Sequence, residues 1–277
     1  MKPTDGTPAA AKPAAKRRRG WIVRDFLSSL GRCPGQLATC LVLYPLLAAG
    51  ITLWVRHLGV VFHLQMCRGD PYCWYTFLFL PALGIVPAAL YLLMHLLKYD
   101  FTAPFLIHWS SKQDLFLRQA VKSVLLAVLV ALYYSLCQWA VSWVAPVGMN
   151  WDQPGSIYVY QVGTLGAAVP QWRLMLVLFG SIFFSVLAMG LCYLALRWIT
   201  GRDLTGVLFA IVIAAFEMVG TPLLYNFLFV GYAAWRPGIP APERGFLVGL
   251  LWAAVAMLVG YLASGRKDFL GEQQQQK

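Results

Sequence analysis

The chain has 277 residues, 60% of them hydrophobic and only 12% charged, and 22 Lys and Arg against 11 Asp and Glu leave a formal charge of +11. Soluble domains are nearer half apolar and a quarter charged, so an ordinary water-soluble enzyme and a disordered chain are both excluded. The mean hydropathy of +0.65 points to a multi-spanning membrane protein, and the basic excess is first a topology signal rather than a nucleic-acid footprint.

Residues 1–20 are rich in Ala, Pro, Lys and Arg. They predict a disordered cytoplasmic arm attracted to anionic lipid. The arm is too polar and the apolar run after it too long for a cleaved signal peptide. In residues 21–33, Ile22, Phe26, Leu27 and Leu30 share one helical face, Arg24, Asp25, Ser28 and Ser29 take the rest, and Gly31 and Pro34 stop the helix. This predicts a short helix lying in the cytoplasmic interface. It is either a surface anchor or an elbow that transmits force from a cytoplasmic partner.

A bilayer core needs roughly 20 apolar residues as helix. Six stretches qualify: 37–55, 75–97, 124–147, 174–196, 204–230 and 246–264. In lipid every backbone polar group must be paired within its segment, so apolar length enforces helix. The expected fold is an all-α integral membrane protein: six transmembrane helices within residues 34–265, short interfacial helices on the cytoplasmic side, and a solvated tail at 266–277.

Between spans one and two, Cys67 and Cys73 flank an Arg68-Gly69-Asp70-Pro71-Tyr72 turn. They bridge if the outer face is oxidising and their Cβ atoms approach, which spacing does not settle. After span two, Pro104 ends the helix, and Ser111 with Asp114 has capping-box spacing, so a new helix starts near Lys112 and runs into span three. On it Asp114 and Arg118 stand four apart, placed to pair. Phe105, His108 and Trp109 suit the headgroup zone. The outer loop 148–173 carries Trp151, Tyr158, Tyr160 and Trp172, as an aromatic belt or as contacts for an amphiphile arriving from outside, with 157–162 as a short strand or a surface segment. The proline-rich loop 232–245 predicts a rigid cover.

Sorted by loop, 17 of the 22 basic residues fall on the side holding both termini and five on the other. This follows the positive-inside rule and predicts both termini in the cytoplasm. One formal charge lies within the spans. Glu217 is the fourteenth of 27 residues in span five, near the midplane. There it must face the bundle or water, or be protonated. Thr221 lies one turn on, Pro222 frees the Met218 carbonyl, and Asn226 adds a second polar group. A gate or proton-linked site is one reading. A carboxyl that joins two helices is the other, because a relay usually needs a second titrating group.

Hydrolytic chemistry finds little support. His57, His63, His95 and His108 form no H-E-x-x-H, no G-x-S-x-G occurs, and no C-x-x-C or P-loop is present. The sequence predicts no enzyme and calls for no cofactor, metal or nucleic acid.

The elbow before span one, six spans with both ends inside, and the segment FLIHWSSKQDLFLRQ at 105–119 together resemble the permease subunits of ABC-2-type exporters. The likeness is greatest to small bacterial permeases associated with lantibiotic and other antimicrobial-peptide export and immunity. The segment is similar to their I-x-R-x-x-S-[RK]-x-x-W-x-x-x-[RK] stretch. Ile107, Ser110 or Ser111, Lys112, Phe116 and Arg118 fill comparable places, and His108 and Trp109 stand where a basic residue is usual. The resemblance implies a separate ATP-binding subunit docked at the cytoplasmic elbows and an oligomer of two permease subunits in a bacterial cytoplasmic membrane. Trp109, Lys112, Asp114 and Arg118 would form the coupling loop, and the exported cargo would be a peptide, lipid or other amphiphile. Two other classes stay open: a non-transporting assembly or sensor protein, and a secondary transporter centred on Glu217, although no internal repeat supports the latter.

Overall fold

Apolar length does enforce helix. The computed structural model describes residues 21–74, 81–101, 111–167, 169–229, 231–239 and 241–266, without the side chains of Trp21 and Phe101. The basic arm, the segment carrying Trp109 and the terminal tail lie outside the described residues. The longer elements are α1 (Trp21–Gly31), α2 (Pro34–Val61), α4 (Val86–Leu97, entered through a π turn at Pro81–Ile85), α5 (Lys112–Ser142), α7 (Gln171–Thr200), α8 (Asp203–Met218) and α10 (Gly245–Arg266). Three short helices, α3 (Asp70–Cys73), α6 (Ile157–Val162) and α9 (Tyr225–Leu228), sit in the connections. The described residues contain no strand, only isolated bridges pairing Gln65 with Ser156 and Cys67 with Val147.

Among the described residues five helices are long and apolar enough to cross a membrane: Pro34–Val61, Pro81–Lys98, Lys112–Ser142, Gln171–Thr200 and Pro242–Arg266. The expected continuous fifth span at 204–230 is broken. Gly220 adopts a φ of +93°, Pro222 has no N–H to carry the ladder on, and α8 stops at Met218. The chain turns through 219–224 before the single turn of α9. Residues 157–162 form a helix, not a strand, because the Ser156 hydroxyl accepts the Val159 N–H at 3.3 Å and Gly163 ends it at φ +79°.

Local chemistry explains how long helices keep their backbone satisfied. Pro45 lies inside α2 and cannot donate to the carbonyl four residues earlier. That carbonyl is Leu41's, and the Tyr133 hydroxyl of α5 donates to it at 2.9 Å. At the start of α5, Ser111 caps the Asp114 N–H at 3.4 Å, so the helix begins at Lys112 as the sequence predicts.

Helix α7 is the centre of the bundle, packed against α4, α5, α8 and α10. The buried set of α10 is entirely small: Gly249, Ala253, Ala256, Gly260 and Ser264. Their spacing makes one seam that lets helix backbones approach closely, as membrane helices require when no hydrophobic force separates protein from lipid. A Cβ at Gly249 would stand 2.6 Å from Phe184 of α7.

The bundle has two distinct ends. One, the elbow end, gathers α1, the Lys98–Phe101 turn, the start of α5, the α7–α8 turn and the end of α10. The other, the loop end, gathers the turn around Asp70, the 143–170 connection and the 231–244 cover. The chain passes from Asp203, bonded to Tyr193 and Arg197 at the elbow end, to Tyr232, bonded to Asp70 at the loop end. The interrupted α8–α9 path therefore still traverses the bundle.

Candidate functional site

At the elbow end four charged side chains meet, Arg118, Lys122 and Asp100 buried and Asp25 half-buried. The inward face of α1 is formed by Ile22, Asp25, Phe26, Ser29 and Leu30, while Leu27 is 58% exposed. The helix is therefore rotated from its expected placement, and Asp25 and Ser29 turn toward the bundle. The reason is on α5. Arg118 and Lys122 lie four residues apart on its α1-facing side. Arg118 grips both carboxylate oxygens of Asp25, its Nε at 2.9 Å from Oδ2 and its Nη2 on Oδ1. Lys122, fully buried, places its ammonium 3.1 Å from Asp25 Oδ2, 3.0 Å from Asp100 Oδ2 and 3.2 Å from the Ser29 hydroxyl. Each of the three ammonium protons has an acceptor.

The expected Asp114–Arg118 pair is replaced by this arrangement, because Asp25 offers Arg118 a two-oxygen partner in a drier place. Lys112 is half-buried at the first turn of α5, and the Asp114 N–H serves the cap. Burial works to raise the Asp25 carboxyl, but Arg118 and Lys122 hold it below the ordinary carboxylate range. Asp100 is more deeply buried, and desolvation raises it in spite of Lys122.

The sequence reading places Arg118 in the coupling loop opposite Asp114, takes Lys122 as topogenic charge alone, and gives no role to Asp25 or Asp100. The available signal was their register: two cations four apart at the mouth of an apolar run, where an unpaired charge is costly. Below them, the Trp198 indole donates to Gln119 at 2.8 Å, and Arg197 with Tyr193 holds Asp203. Elbow, α5, α7 and α8 are thus tied by polar bonds at one end.

In the bundle interior Glu217 is 1% exposed. Its Oε1 accepts the N–H groups of Leu224 and of Tyr225, the latter at 2.7 Å, and its Oε2 accepts that of Asn226 at 2.6 Å. The carboxylate of the helix that stops thereby satisfies the backbone of the helix that begins. Asn226 joins through its backbone, whereas Thr221 lies exposed in the turn. Of the predicted intramembrane polar group, Glu217 and Asn226 come together and Thr221 does not.

At the loop end Asp70 is fully buried. It accepts the Cys67 N–H at 2.7 Å and the Trp151 indole N–H at 3.0 Å, and its carbonyl accepts the Tyr232 hydroxyl at 3.4 Å. Burial pushes its carboxyl up to about 6. Trp151 stacks on Tyr158 with centroids 4.8 Å apart, and Tyr232 meets Trp151 at 5.9 Å and Tyr158 at 5.8 Å. Two of the four expected belt aromatics, Trp151 and Tyr158, are therefore the core of the cap, while Tyr160 and Trp172 are exposed. Cys67 and Cys73 flank the Asp70 turn as separate buried thiols, not as a bridge.

Among the described residues no cluster of His, Cys, Asp and Glu has the makings of a metal site. Comparison with protein-family models, with curated proteins and with solved structures finds no match for this chain. The geometry therefore carries the functional argument alone. Asp70 and Glu217 are held by neutral donors, and the group that links a surface element to a long helix is the Asp25–Arg118–Lys122–Asp100 cluster.

Proposed function

We propose that the chain is the membrane-spanning permease subunit of an ABC-type exporter in a bacterial cytoplasmic membrane, driven by a separate ATP-binding subunit and moving a peptide, lipid or other amphiphile outward. In this reading there are six crossings, the fifth made by α8, the turn and α9. The elbow end faces the cytoplasm, in keeping with the distribution of basic residues.

The observation that carries the reading is the clamp between α1 and α5. A surface helix can drive a membrane helix only if the two move as one body. Asp25, held by Arg118 and Lys122, supplies that rigidity across α1 and α5. A push on the elbow or on the segment entering Lys112 would then shift α5 between two packed states whose relative energies ATP binding changes. Glu217 serves the crossing as its internal cap, and its oxygens are committed to three backbone donors.

The test is purification in mild detergent, followed by reconstitution with whatever P-loop subunit accompanies the chain. Co-purification of an ATPase whose turnover rises in the presence of this subunit supports the reading. Asp25→Asn with Arg118→Gln should leave the association in place but abolish that stimulation. A preparation free of any ATPase and competent for transport without one would overturn it, as would termini accessible from outside sealed cells.

A further inference from the structure

Between α4 and α8 runs an apolar groove of about 230 Å³, lined on one side by residues including Leu83, Tyr91 and Met94 and on the other by Val207, Ala210 and Ala214. Leu83 and Tyr91 are 59% and 43% exposed, so the groove opens sideways, toward lipid. Counted along α8 at 1.5 Å per residue, its lining extends from about 6 to about 16 Å above Asp203. That is the depth of one leaflet of a hydrocarbon core about 30 Å thick. The volume is below the range usual for drug-sized ligands.

The elbow end of the groove is cationic. Lys98 continues the α4 stripe one turn beyond Met94, and Arg202 immediately precedes α8. Both are exposed, and neither side chain makes an ion pair among the described residues. The nearby carboxylates are committed elsewhere, Asp100 to Lys122 and Asp203 to Arg197. An apolar slot about one leaflet deep, with an exposed cation at the elbow-side end of each of its two helices, matches an amphiphile with one long chain in the slot and an anion at the interface.

We propose that this groove holds one acyl chain of an anionic phospholipid of the elbow-side leaflet, with the headgroup phosphate met by Lys98 and Arg202. The proposal rests on the membrane orientation given above but not on an ATP-driven partner, so it stands or falls without one. Its consequence is that α8, in which only Gly206, Ile213, Ala214 and Glu217 are buried, is packed partly by lipid.

The probe is the purified full chain reconstituted in vesicles of phosphatidylglycerol and phosphatidylcholine, re-extracted in mild detergent, with retained lipid measured by mass spectrometry. Phosphatidylglycerol should be retained selectively. Each cation beside an anionic headgroup is worth about fivefold, so Lys98→Gln with Arg202→Gln should lower that selectivity on the order of tenfold. Both residues are exposed, so folding is not at stake. Ala210→Phe, and the milder Ala210→Leu, should displace the chain and reduce retention of both lipids. A photo-crosslinker at Ile211 should capture lipid. Retention unchanged in all variants would overturn the proposal, and so would crosslinking of Ile211 to a second copy of the chain.

Discussion

At the elbow end, Asp25 and Asp100 are held by cations. At the loop end, Asp70 is held by an indole and a backbone amide, with no cation paired to it among the described residues. Both arrangements remove carboxylates from water, but the consequences differ. Charge partners favour the ionised form, and Asp25 stays acidic. Neutral donors compensate only part of the desolvation, and Asp70 is raised. The Asp25–Arg118 grip is therefore built to hold at physiological proton concentrations, as a mechanical link must, while burial raises Asp100 beside it. The loop end is built from stacked rings and a proton-sensitive clasp.

The sharpest way to break the comparison is Lys122→Ala. It leaves Asp25 and Asp100 without their shared ammonium, and removing one member of a buried ion pair costs about 3–5 kcal/mol. Thermal unfolding in detergent should drop by roughly 10 °C, at about 2–4 °C per kcal/mol for a chain of this size. Lys122→Met with Asp100→Leu should recover much of the loss, because an apolar replacement of a whole pair is often near neutral. If the single variant were as stable as the parent, the cluster would be ornament and the clamp argument would fail.

Glu217 sets a third solution beside the other two, a carboxyl held by backbone N–H groups alone. Glu217→Gln keeps an oxygen for Leu224 and Tyr225 but turns an amide toward the Asn226 N–H. Leaving one buried N–H without an acceptor costs roughly 1–3 kcal/mol. Amide exchange at 224–226 should accelerate while the α1–α5 region is unaffected. Equal exchange in both proteins would mean that the carboxylate does not hold α9.

How much of this was legible follows from what each residue type reports. Apolar runs are long-range signals that need no partner, so the helices at 34–61, 112–142, 171–200 and 245–266 were readable within a few residues. The Ser111 cap was readable because its partner is three residues away. The break at 219–224 was only half readable. Pro222 announced a disturbance, but whether a helix bends or stops depends on an acceptor for the freed amides, and that acceptor is Glu217 itself. The clamp was invisible for a related reason. Asp25 and Arg118 are 93 positions apart, and each alone looks like an ordinary surface charge beside a membrane. Likewise, Trp151 and Tyr160 have the same look on paper, and only tertiary packing sends one into the cap and the other to the surface.

The smallest effect concerns the proton on Asp70, and its sign separates Asp70 from Asp25. An acid whose folded value, about 6, lies above its unfolded value near 3.9 binds more protons in the folded state across that window. Stability therefore falls as pH rises from about 4 to about 6, and the loss persists at pH 7. The full shift corresponds to about 3 kcal/mol at most, and rearrangement of the Cys67 amide and Trp151 indole donors on protonation should leave roughly 1–2 kcal/mol. For Asp25 the sign is opposite. Its folded value is depressed, so its contribution is complete above the unfolded value and is lost only as pH falls below about 4. Exchange protection around 151 and 232 should thus be greater at pH 5 than at pH 7, with protection around 25 and 118 unchanged. Asp70→Asn should flatten the first dependence and leave the second alone. If the slope at 151 and 232 survived in Asp70→Asn, the proton would belong to another group and the contrast between the two ends would lose its chemical basis.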